Sequence, residues 1–332
     1  MRQKKAESRQ PTPESRLPNK AMKNIKKLMF IITGIVFLTS CGGGKDKDGN
    51  DLDTPAKGEI TVAVDESFQQ IIEAEKSAFE KTVPYTKINL VYKNEGEAVA
   101  MMLNDKARVA VIARELDEKE KAVFKQDDIR YKSFKFAGDG IALITNKANK
   151  DTNITTQELE ALMRGTKKSY GKSGKEIVLV FDGRSSSNLT FLIDTFKIDR
   201  KMKVSFFAAK SNKEVIDYVK NHDNAMGVIG VNWISDGDDP TSLTFIRSVN
   251  VMSVANKLNP TKDDYYQPFG YNLALKKYPL TRRIRFILKE AHMGLGTGFI
   301  NYCTLEQGQL IVYKNGLIPL TQPLQIRQVE SK

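Results

Sequence analysis

The chain has 332 residues, of which 40% are hydrophobic and 28% charged, the balance of an ordinary globular protein. Its length predicts two domains. The net charge of +12 is concentrated at the start, where residues 1–40 hold nine Lys or Arg against two Glu. The remaining charges are interspersed, with no basic stripe among aromatic residues, so the composition argues against nucleic-acid binding.

A secretory signal is predicted within residues 1–40. Three lysines precede the apolar stretch Leu28–Leu38, which is too short for a stable membrane span. Residues 1–21 are polar and show no periodicity, whereas Met22 opens the signal itself. We therefore interpret Met22 as the true start and the residues before it as an over-long N-terminal extension.

The signal ends in Leu38-Thr-Ser-Cys41, which resembles a bacterial lipobox. This motif implies cleavage before Cys41 and lipidation of its sulfur, and the alternative is a chance cysteine beside an ordinary cleavage site. The polar segment Gly42–Lys57 predicts a flexible tether, so residues 41–57 would link the lipid to the folded part. Such a protein is anchored to a membrane without spanning it.

The pattern from Gly58 onward predicts an α/β fold with mixed, mostly parallel sheets, because apolar strand patterns alternate with helical ones. The first strand, Ile60–Val64, is followed by a helix that Asp65–Ser67 caps. Towards the end, Tyr265–Leu275 is predicted to be extended and Thr281–Met293 to be a long helix.

The stretch Val178–Leu192 carries the clearest functional signal. A short apolar strand leads into Gly-Arg-Ser-Ser-Ser-Asn, and a helical pattern follows. Hydroxyl and amide side chains at this junction are good helix N-caps. The turn also leaves backbone N–H groups at the positive end of the helix dipole, with Arg184 nearby, which indicates an anion site. A plain strand–turn–helix connection whose serines only cap the helix is the alternative.

Several spaced segments together resemble one family, the bacterial periplasmic phosphate-binding proteins, which are the solute-binding subunits of phosphate ABC transporters. The matching segments follow the family's order over residues 58–320. They are Ser67-Phe68, Ala113–Leu116, Asp139–Asn146, Ile154–Leu159, Ser186–Asn188, Ala225–Gly230, Tyr278–Arg282, Phe299 and Gly308–Val312. Each segment is a weak match alone, and their order and spacing carry the resemblance.

The resemblance implies a type II periplasmic binding protein, with two α/β lobes that close on a ligand in the cleft between them. Residues 58–145 and 265–332 would form lobe 1, and residues 146–264 would form lobe 2.

The ligand contacts follow from the same resemblance. Ser67 and Phe68 would bind from one lobe, the phenylalanine through its backbone N–H. Ser186, Ser187 and Asn188 would bind from the other lobe. Two opposed helix N-termini suit a buried oxyanion, because they supply neutral donors with partial positive charge.

Two positions depart from the family's pattern. Ala113 stands where the family commonly has Asp or Ser, and an acid there accepts the proton of hydrogen phosphate. Asp139 is a candidate substitute if it faces the cleft, and it caps or pairs locally otherwise. The family's cleft arginine precedes its Ser-Gly-Thr by four residues, whereas Arg184 lies two residues before Ser186. Arg184 and Arg114 are both candidates for a bidentate oxyanion contact or, alternatively, surface residues.

An enzyme is the rival class, and the sequence argues against it. The two histidines, His222 and His292, are far apart, and neither a Gly-x-Ser-x-Gly elbow nor a metal-binding spacing is present. Ser186 has no identifiable base. Cys303 lies among apolar neighbours, which predicts an inert buried thiol. We therefore expect no catalytic residues, no metal and no cofactor.

These observations predict a monomeric lipoprotein of the cell envelope that faces the periplasm or the cell surface. It would capture an oxyanion, inorganic phosphate first, for uptake through ABC permease and ATPase subunits. Sulfate or molybdate are alternative ligands. A surface sensor or adhesin on the same fold is an alternative function.

Overall fold

The computed structural model describes residues 52–126, 128–202 and 204–321. The predicted signal, the lipobox at Cys41 and most of the predicted tether therefore lie outside the described residues. Within the described ranges, no helix is long and apolar enough to cross a membrane.

Strands and helices alternate along most of the chain. The strands are β1 (Gly58–Asp65), β2 (Thr86–Lys93), β3 (Val109–Ile112), β4 (Lys132–Asn146), β5 (Asn153–Thr155), β6 (Val178–Phe181), β7 (Phe207–Ala208), β8 (Ala225–Gly230), β9 (Val249–Val251), β10 (Ser253–Ala255), β11 (Thr281–Leu288) and β12 (Ile318–Pro319). The α-helices are α1 (Gln69–Thr82), α2 (Glu95–Leu103), α3 (Glu118–Gln126), α4 (Thr156–Met163), α5 (Ser187–Thr195), α6 (Asn212–Asn221), α7 (Pro240–Ser248), α8 (Gly270–Ala274), α9 (Leu295–Thr304) and α10 (Glu306–Lys314). Short 3-10 turns lie at Glu66–Phe68, Val231–Trp233 and Lys262–Asp264.

The main sheet has the order β2-β1-β3-β11-β4-β8-β6-β7, with β9 and β12 also paired to β4. The pairs β1–β2, β1–β3, β6–β7 and β6–β8 are parallel, as strand–helix–strand units require. The antiparallel ladders of this sheet all involve β4 or β11. The predicted mixed α/β fold is therefore confirmed, with the parallel strands divided between two ends of the sheet.

Strand β4 connects these two ends. Its residues up to Gly140 pair with β11, and its residues from Ile141 onward pair with β8. A strand that changes partner in this way passes from one α/β half to the other, as a crossover strand between lobes would. The predicted lobe boundary at residues 145/146 remains a prediction.

The segment Thr281–Met293 is not the long helix that the sequence predicts. It forms β11 as far as Leu288, between β3 and β4. The alternate residues Arg282, Ile284 and Phe286 are buried, which is the two-residue period of a strand. A helix prediction fails here because two neighbouring strands satisfy the backbone hydrogen bonds. In addition, the segment predicted to be extended, Tyr265–Leu275, contains the short helix α8.

The folded part begins before the predicted start at Gly58. The Asp53 carboxylate accepts hydrogen bonds from Arg108 Nη1 at 2.6 Å and from the Leu295 backbone N–H at 2.7 Å. Burial alone would raise the pKa of Asp53, but these donors and His292 together lower it. The predicted tether is thus tied through Asp53 to Arg108, the residue before β3, and to the start of α9.

Candidate ligand-binding site

The first part of the site lies where β1 ends. Asp65, the last residue of β1, accepts a hydrogen bond from the Ser67 backbone N–H at 3.0 Å. This Asx-type cap stabilises the turn Glu66–Phe68, from which α1 continues. Ser67 and Phe68 are fully buried. The capping therefore places the Ser67 side chain inside the protein at the positive end of α1.

The second part lies where β6 ends. Gly183 has φ +146°, a conformation that other residues rarely adopt, so the chain can turn sharply after Asp182. Ser186 then caps α5, accepting hydrogen bonds from the backbone N–H groups of Asn188 and Leu189. Its hydroxyl donates to the Asp182 carboxylate. The predicted capping is confirmed at Ser186, which leaves Ser187 as the first helical residue.

These two parts meet directly. The Oγ atoms of Ser67 and Ser187 are 3.3 Å apart, so the two helix starts lie against each other, as the family resemblance implies. A second link joins Glu66 to α6. The Glu66 carboxylate accepts a hydrogen bond from the side-chain amide of Asn212 at 2.6 Å and another from the backbone N–H of Asn212 at 3.2 Å. Burial raises the pKa of Glu66 to about 7.

Arg282 on β11 completes the site. Its Nη1 donates to Ser187 Oγ at 3.0 Å, and its Nε donates to Asp139 Oδ2 at 2.8 Å. The side chains of Arg282 and Asp139 are 2% and 0% exposed. The guanidinium carbon also lies 4.7 Å from the centroid of the Phe68 ring, within cation–π range. We refer to Asp65, Ser67, Asp139, Ser187 and Arg282 as the Arg282 cluster.

Three atoms of the Arg282 cluster are buried without a hydrogen-bond partner among the described residues. They are Arg282 Nη2, Asp65 Oδ2 and Asp139 Oδ1. An unpaired buried polar atom costs roughly 1–3 kcal/mol, and more when it is charged. Native proteins keep few such atoms, and each one calls for an explanation such as a ligand. The cluster thus offers one strong donor and two acceptors to a bound group.

The carboxylates of the cluster have shifted pKa values. Burial raises the pKa of Asp65 to about 7, and the negative charge of Glu95 acts in the same direction. Arg282 and the Ser187 hydroxyl oppose this shift. Burial also raises the pKa of Asp139, although Arg282 opposes it. Burial thus favours the neutral form of both carboxyls, whereas Arg282 favours their ionised forms.

Two side-chain donors fix the backbone of Ser67. Its carbonyl oxygen accepts hydrogen bonds from Asn232 Nδ2 at 2.7 Å and from Trp233 Nε1 at 3.1 Å. Gly230, the last residue of β8, lies against the cluster. A Cβ atom on Gly230 would lie 3.2 Å from the Ser67 carbonyl oxygen and 3.4 Å from Arg282 Nη2. Glycine at this position keeps space beside the unpaired donor.

Two of the predicted site residues, Ser186 and Asn188, lie at the start of α5 but do not face the contact between Ser67 and Ser187. Asn188 is buried, and its side-chain amide donates to Asp182 at 3.0 Å and to Asn212 at 3.2 Å. Ser186 is likewise bonded to Asp182. Both residues shape the turn that presents Ser187, and Asn188 Oδ1 stays buried without a partner among the described residues.

The two arginines that the sequence favours do not join the cluster. Arg114 donates to Glu95 at 2.9 Å and to both oxygens of Glu120 at 2.7 and 2.8 Å, which raises its pKa further. The backbone N–H of Ala113 donates to Glu95 as well, at 2.7 Å. Arg184 is exposed, with its guanidinium carbon 5.6 Å from the centroid of the Phe206 ring. Neither guanidinium reaches the serine pair.

Sequence reasoning missed Arg282 and assigned Asp65 only a capping role. Arg282 lies in a segment that resembles the family, but the helix prediction for residues 281–293 concealed its inward direction. The sequence Thr-Arg-Arg-Ile-Arg-Phe-Ile-Leu could have revealed the strand through its two-residue alternation. If this segment is a strand, Arg282 lies on the same buried face as Ile284 and Phe286. A buried arginine needs a buried partner, and Asp139 had already been singled out.

A cavity adjoins the site at Asp65. A cavity of about 350 Å³ has Asp65, Asp182 and Ser186 in its wall. A larger cavity of about 550 Å³, lined by residues of α1 and β2, shares no residue with the Arg282 cluster. In the part of the chain that the structure describes, no group of three His, Cys, Asp or Glu side chains could hold a metal ion.

Cys303 has the buried environment that its apolar neighbours predict. Its thiol is free and fully buried in α9, and burial raises its pKa well above the usual value. Because a thiolate rather than a thiol is the reactive form, this residue is chemically inert in the folded protein.

A family model described as a PBP superfamily domain matches residues 49–307. Among curated proteins, the phosphate-binding protein PstS of Borreliella burgdorferi is 24% identical over 256 residues, covering 72% of this chain and 84% of the relative. PstS of Staphylococcus aureus strain RF122 is 24% identical over 255 residues, covering 73% and 76%.

Solved structures show the same fold. A Clostridium perfringens protein named as a phosphate ABC transporter substrate-binding protein, solved with bound phosphate, has a TM-score of 0.67 and 22% identity, covering 79% of this chain and all of that one (100%). An ABC-type phosphate transport receptor from Vibrio cholerae has a TM-score of 0.59 and 20% identity, covering 79% and 100%. These similarities confirm the two-lobed α/β architecture.

Proposed function

This chain belongs to the PBP superfamily, and we propose that it is a solute-binding protein that captures inorganic phosphate for an ABC transporter. The relatives and solved structures reported above are named as phosphate-binding proteins and as a phosphate transport receptor, which supports a binding function over a catalytic one. The observation that carries the proposal is the Arg282 cluster, since its buried donor has no partner among the described residues.

Phosphate would be held at the junction of the two helix starts. The hydroxyls of Ser67 and Ser187 and the Nη2 group of Arg282 are the donors that lie there. The N-termini of α1 and α5 add partial positive charge from both sides. Charge-assisted hydrogen bonds of this kind contribute about 1.5–3 kcal/mol each. In our proposal, the bound anion replaces the direct contact between the two hydroxyls and accepts a hydrogen bond from each of them.

Asp65 would select for a protonated oxyanion. Its Oδ2 atom is buried without a partner among the described residues, so it can accept a hydrogen bond from the hydroxyl of hydrogen phosphate. Sulfate is fully ionised near neutral pH and has no proton to donate, so the ionised form of Asp65 would repel it. We propose that Asp65 takes the role that the family's acid has at the position of Ala113. Arg114, Arg184 and Asn188 are not needed as direct ligands in this arrangement.

Calorimetric titration with phosphate, sulfate and molybdate at pH 7 tests the proposal directly. Phosphate should bind at least about tenfold more tightly than sulfate. Hydrogen phosphate gains one buried hydrogen bond to Asp65, whereas sulfate is repelled by the charge of Asp65. In an Asp65→Asn variant this preference should shrink. Absence of phosphate binding after removal of any prebound ligand would overturn the function, and an unchanged preference in the variant would overturn the role of Asp65.

The location and partners form a second part of the proposal. We propose an extracytoplasmic protein, anchored through a lipid on Cys41, that delivers phosphate as a monomer to permease and ATPase subunits. The lipobox sequence and the names of the relatives support this placement. Mass spectrometry of the membrane-extracted protein should find acyl chains on the peptide that begins with Cys41. A Cys41→Ser variant that stays in the membrane fraction would contradict the anchor.

A further inference from the structure

Asn212, the first residue of α6, is a fully buried side chain that joins the ends of three strands. Its Nδ2 group donates to Glu66 Oε2 at 2.6 Å and to Asp182 Oδ2 at 3.3 Å. Its Oδ1 atom accepts from Asn188 Nδ2 and from the Gly230 backbone N–H, both at 3.2 Å. Its own backbone N–H also donates to Glu66, at 3.2 Å. The segments that end β1, β6 and β8 thus meet at one amide.

Three of the residues bonded to this amide lie beside the donors that we assign to phosphate. Glu66 directly precedes one of the two contacting serines, and Asn188 directly follows the other. Gly230 lies against Arg282, since a Cβ atom on this glycine would be 3.4 Å from Nη2. The hydrogen bonds of the amide therefore constrain the spacing between all three donors.

Capping of α6 does not account for this arrangement. Ser211 caps the helix, because its hydroxyl accepts from the Glu214 backbone N–H at 3.2 Å. The four hydrogen bonds of the Asn212 amide instead reach residues outside α6. An amide suits these partners, since it presents donors to two carboxylates on one side and an acceptor to two N–H groups on the other.

We propose that Asn212 is a positioning residue for phosphate, which holds Ser67, Ser187 and Arg282 Nη2 at the spacing that the anion requires without contacting it. This inference rests on the proposed function, because it assumes that phosphate binds between these donors. Donors that are already held in place bind a ligand more tightly, since binding does not have to order them. Loss of the link between Glu66 and Asn212 should therefore weaken phosphate binding as well as folding.

An exchange of donor and acceptor tests this link. Asn212→Asp places a carboxylate against that of Glu66, so phosphate should bind at least about tenfold more weakly. The double variant Glu66→Gln/Asn212→Asp has the parent's net charge, and its amide at position 66 can donate to the carboxylate at position 212. Phosphate affinity should then return to within about threefold of the parent's, the remaining loss reflecting the contact with Asp182 that the exchange does not restore. Calorimetric titration of the full-length protein in detergent with inorganic phosphate measures each affinity.

Asn250→Asp is the matched control. Asn250 lies in β9 and also donates twice, to the carbonyl oxygens of Asn146 and Asn149 at 3.1 and 3.0 Å. This variant should lower the free energy of unfolding, measured by chemical denaturation, and leave phosphate affinity within about twofold. If Asn212→Asp and Asn250→Asp give the same result in both measurements, Asn212 acts only in folding and the inference is overturned.

Two further outcomes decide the matter. A double variant that binds phosphate no better than Asn212→Asp would overturn the inference, because restoring the link would then have no effect on affinity. If Asn212→Asp does not fold, Asn212→Ser takes its place, since it is neutral and lacks the amide. This variant should bind phosphate about fivefold more weakly, and the parent's affinity in it would refute the positioning role.

The same titrations distinguish this inference from the function on which it rests. Phosphate binding by the parent together with unchanged affinity in the Asn212 variants would overturn the inference and leave the proposed function intact. Absence of phosphate binding by the parent would overturn both.

Discussion

Two guanidinium groups in this protein, those of Arg114 and Arg282, are both held by carboxylates but differ in what they leave free. Arg114 donates to Glu95 and to both oxygens of Glu120, and 29% of its side chain is exposed. Arg282 donates to Asp139 and Ser187, is almost fully buried, and keeps Nη2 without a partner in the described part of the chain.

The difference shows how a ligand site can be told from a structural ion pair. A guanidinium with two acids around it is satisfied, so binding a further anion would gain little at Arg114. A guanidinium with one acid and an unpaired buried N–H destabilises the protein, because that N–H has lost its hydrogen bonds to water. A ligand that accepts a hydrogen bond from the N–H removes this cost. The distinguishing property is thus incomplete hydrogen bonding in a buried place, and proximity to a helix start or a strand end does not reveal it.

The largest change in phosphate affinity is expected at Arg282. An Arg282→Gln/Asp139→Asn double variant removes both charges, so that neither is left buried alone. Phosphate should bind about a hundredfold more weakly, since a charge-assisted hydrogen bond of about 1.5–3 kcal/mol is lost together with the nearby positive charge. Calorimetric titration measures the affinity, and circular dichroism checks that the variant is folded. A folded variant with the parent's affinity would show that Arg282 is not a ligand.

A smaller loss is expected at Ser187. Ser187→Ala removes one neutral hydroxyl donor from the cluster, so phosphate binding should weaken about tenfold, close to 1.4 kcal/mol. Ser185→Ala is the matched control, because Ser185 is an exposed serine in the same turn. Its affinity should stay within about twofold of the parent's. If both variants lose affinity equally, the turn as a whole, rather than Ser187, is responsible.

A still smaller effect on phosphate is expected at Arg114. An Arg114→Gln/Glu120→Gln double variant removes this guanidinium and one of its two carboxylate partners, and Glu95 remains. Phosphate affinity should stay within about twofold, because this guanidinium already donates to Glu95 and Glu120 and lies in a partly exposed network that solvent screens. A tenfold loss of affinity would place Arg114 in the binding site after all and would erase the contrast between the two arginines.

No change in affinity is expected at Glu75, although both its carboxyl oxygens are buried without a partner in the described part of the chain. Burial raises its pKa to about 9 from a usual value of 4.5, with the Cys303 thiol acting in the opposite direction. At pH values between these two pKa values, Glu75 is therefore protonated in the folded state and ionised in the unfolded state. Stability should fall as pH rises through this range, at up to about 1.4 kcal/mol per pH unit.

Glu75→Gln tests this expectation. The amide cannot ionise, so the variant should lose part of the pH dependence of unfolding between pH 5 and 9 and should be more stable than the parent at pH 8.5. Chemical denaturation at both pH values measures the effect, and phosphate titration should give the parent's affinity. An affinity loss would mean that an unpartnered buried group indicates a ligand even without opposed helix starts beside it.

Sequence patterns predicted the parts of the site that depend on neighbouring residues. The cap at Ser186 follows from a hydroxyl that precedes an apolar helical pattern, and the placement of Ser67 at a helix start follows from Asp65 in the same way. The order of strands and helices predicted the mixed α/β fold, because alternating periodicities determine which elements can pack together. The family resemblance predicted that the two helix starts meet, which the serine contact of 3.3 Å confirms.

Only the tertiary structure decided which arginine lies at that meeting point. The sequence favours Arg114 and Arg184, each a guanidinium near the end of an apolar segment, whereas the helix predicted for residues 281–293 concealed Arg282. Their roles depend on partners that are remote in the chain, since Asp139 and Ser187 are 143 and 95 residues from Arg282. Strand pairing of β11 with β4 brings Arg282 opposite Asp139, and this register is set by the whole sheet. The sequence determined the donors at each helix start, and long-range packing determined the charge between them.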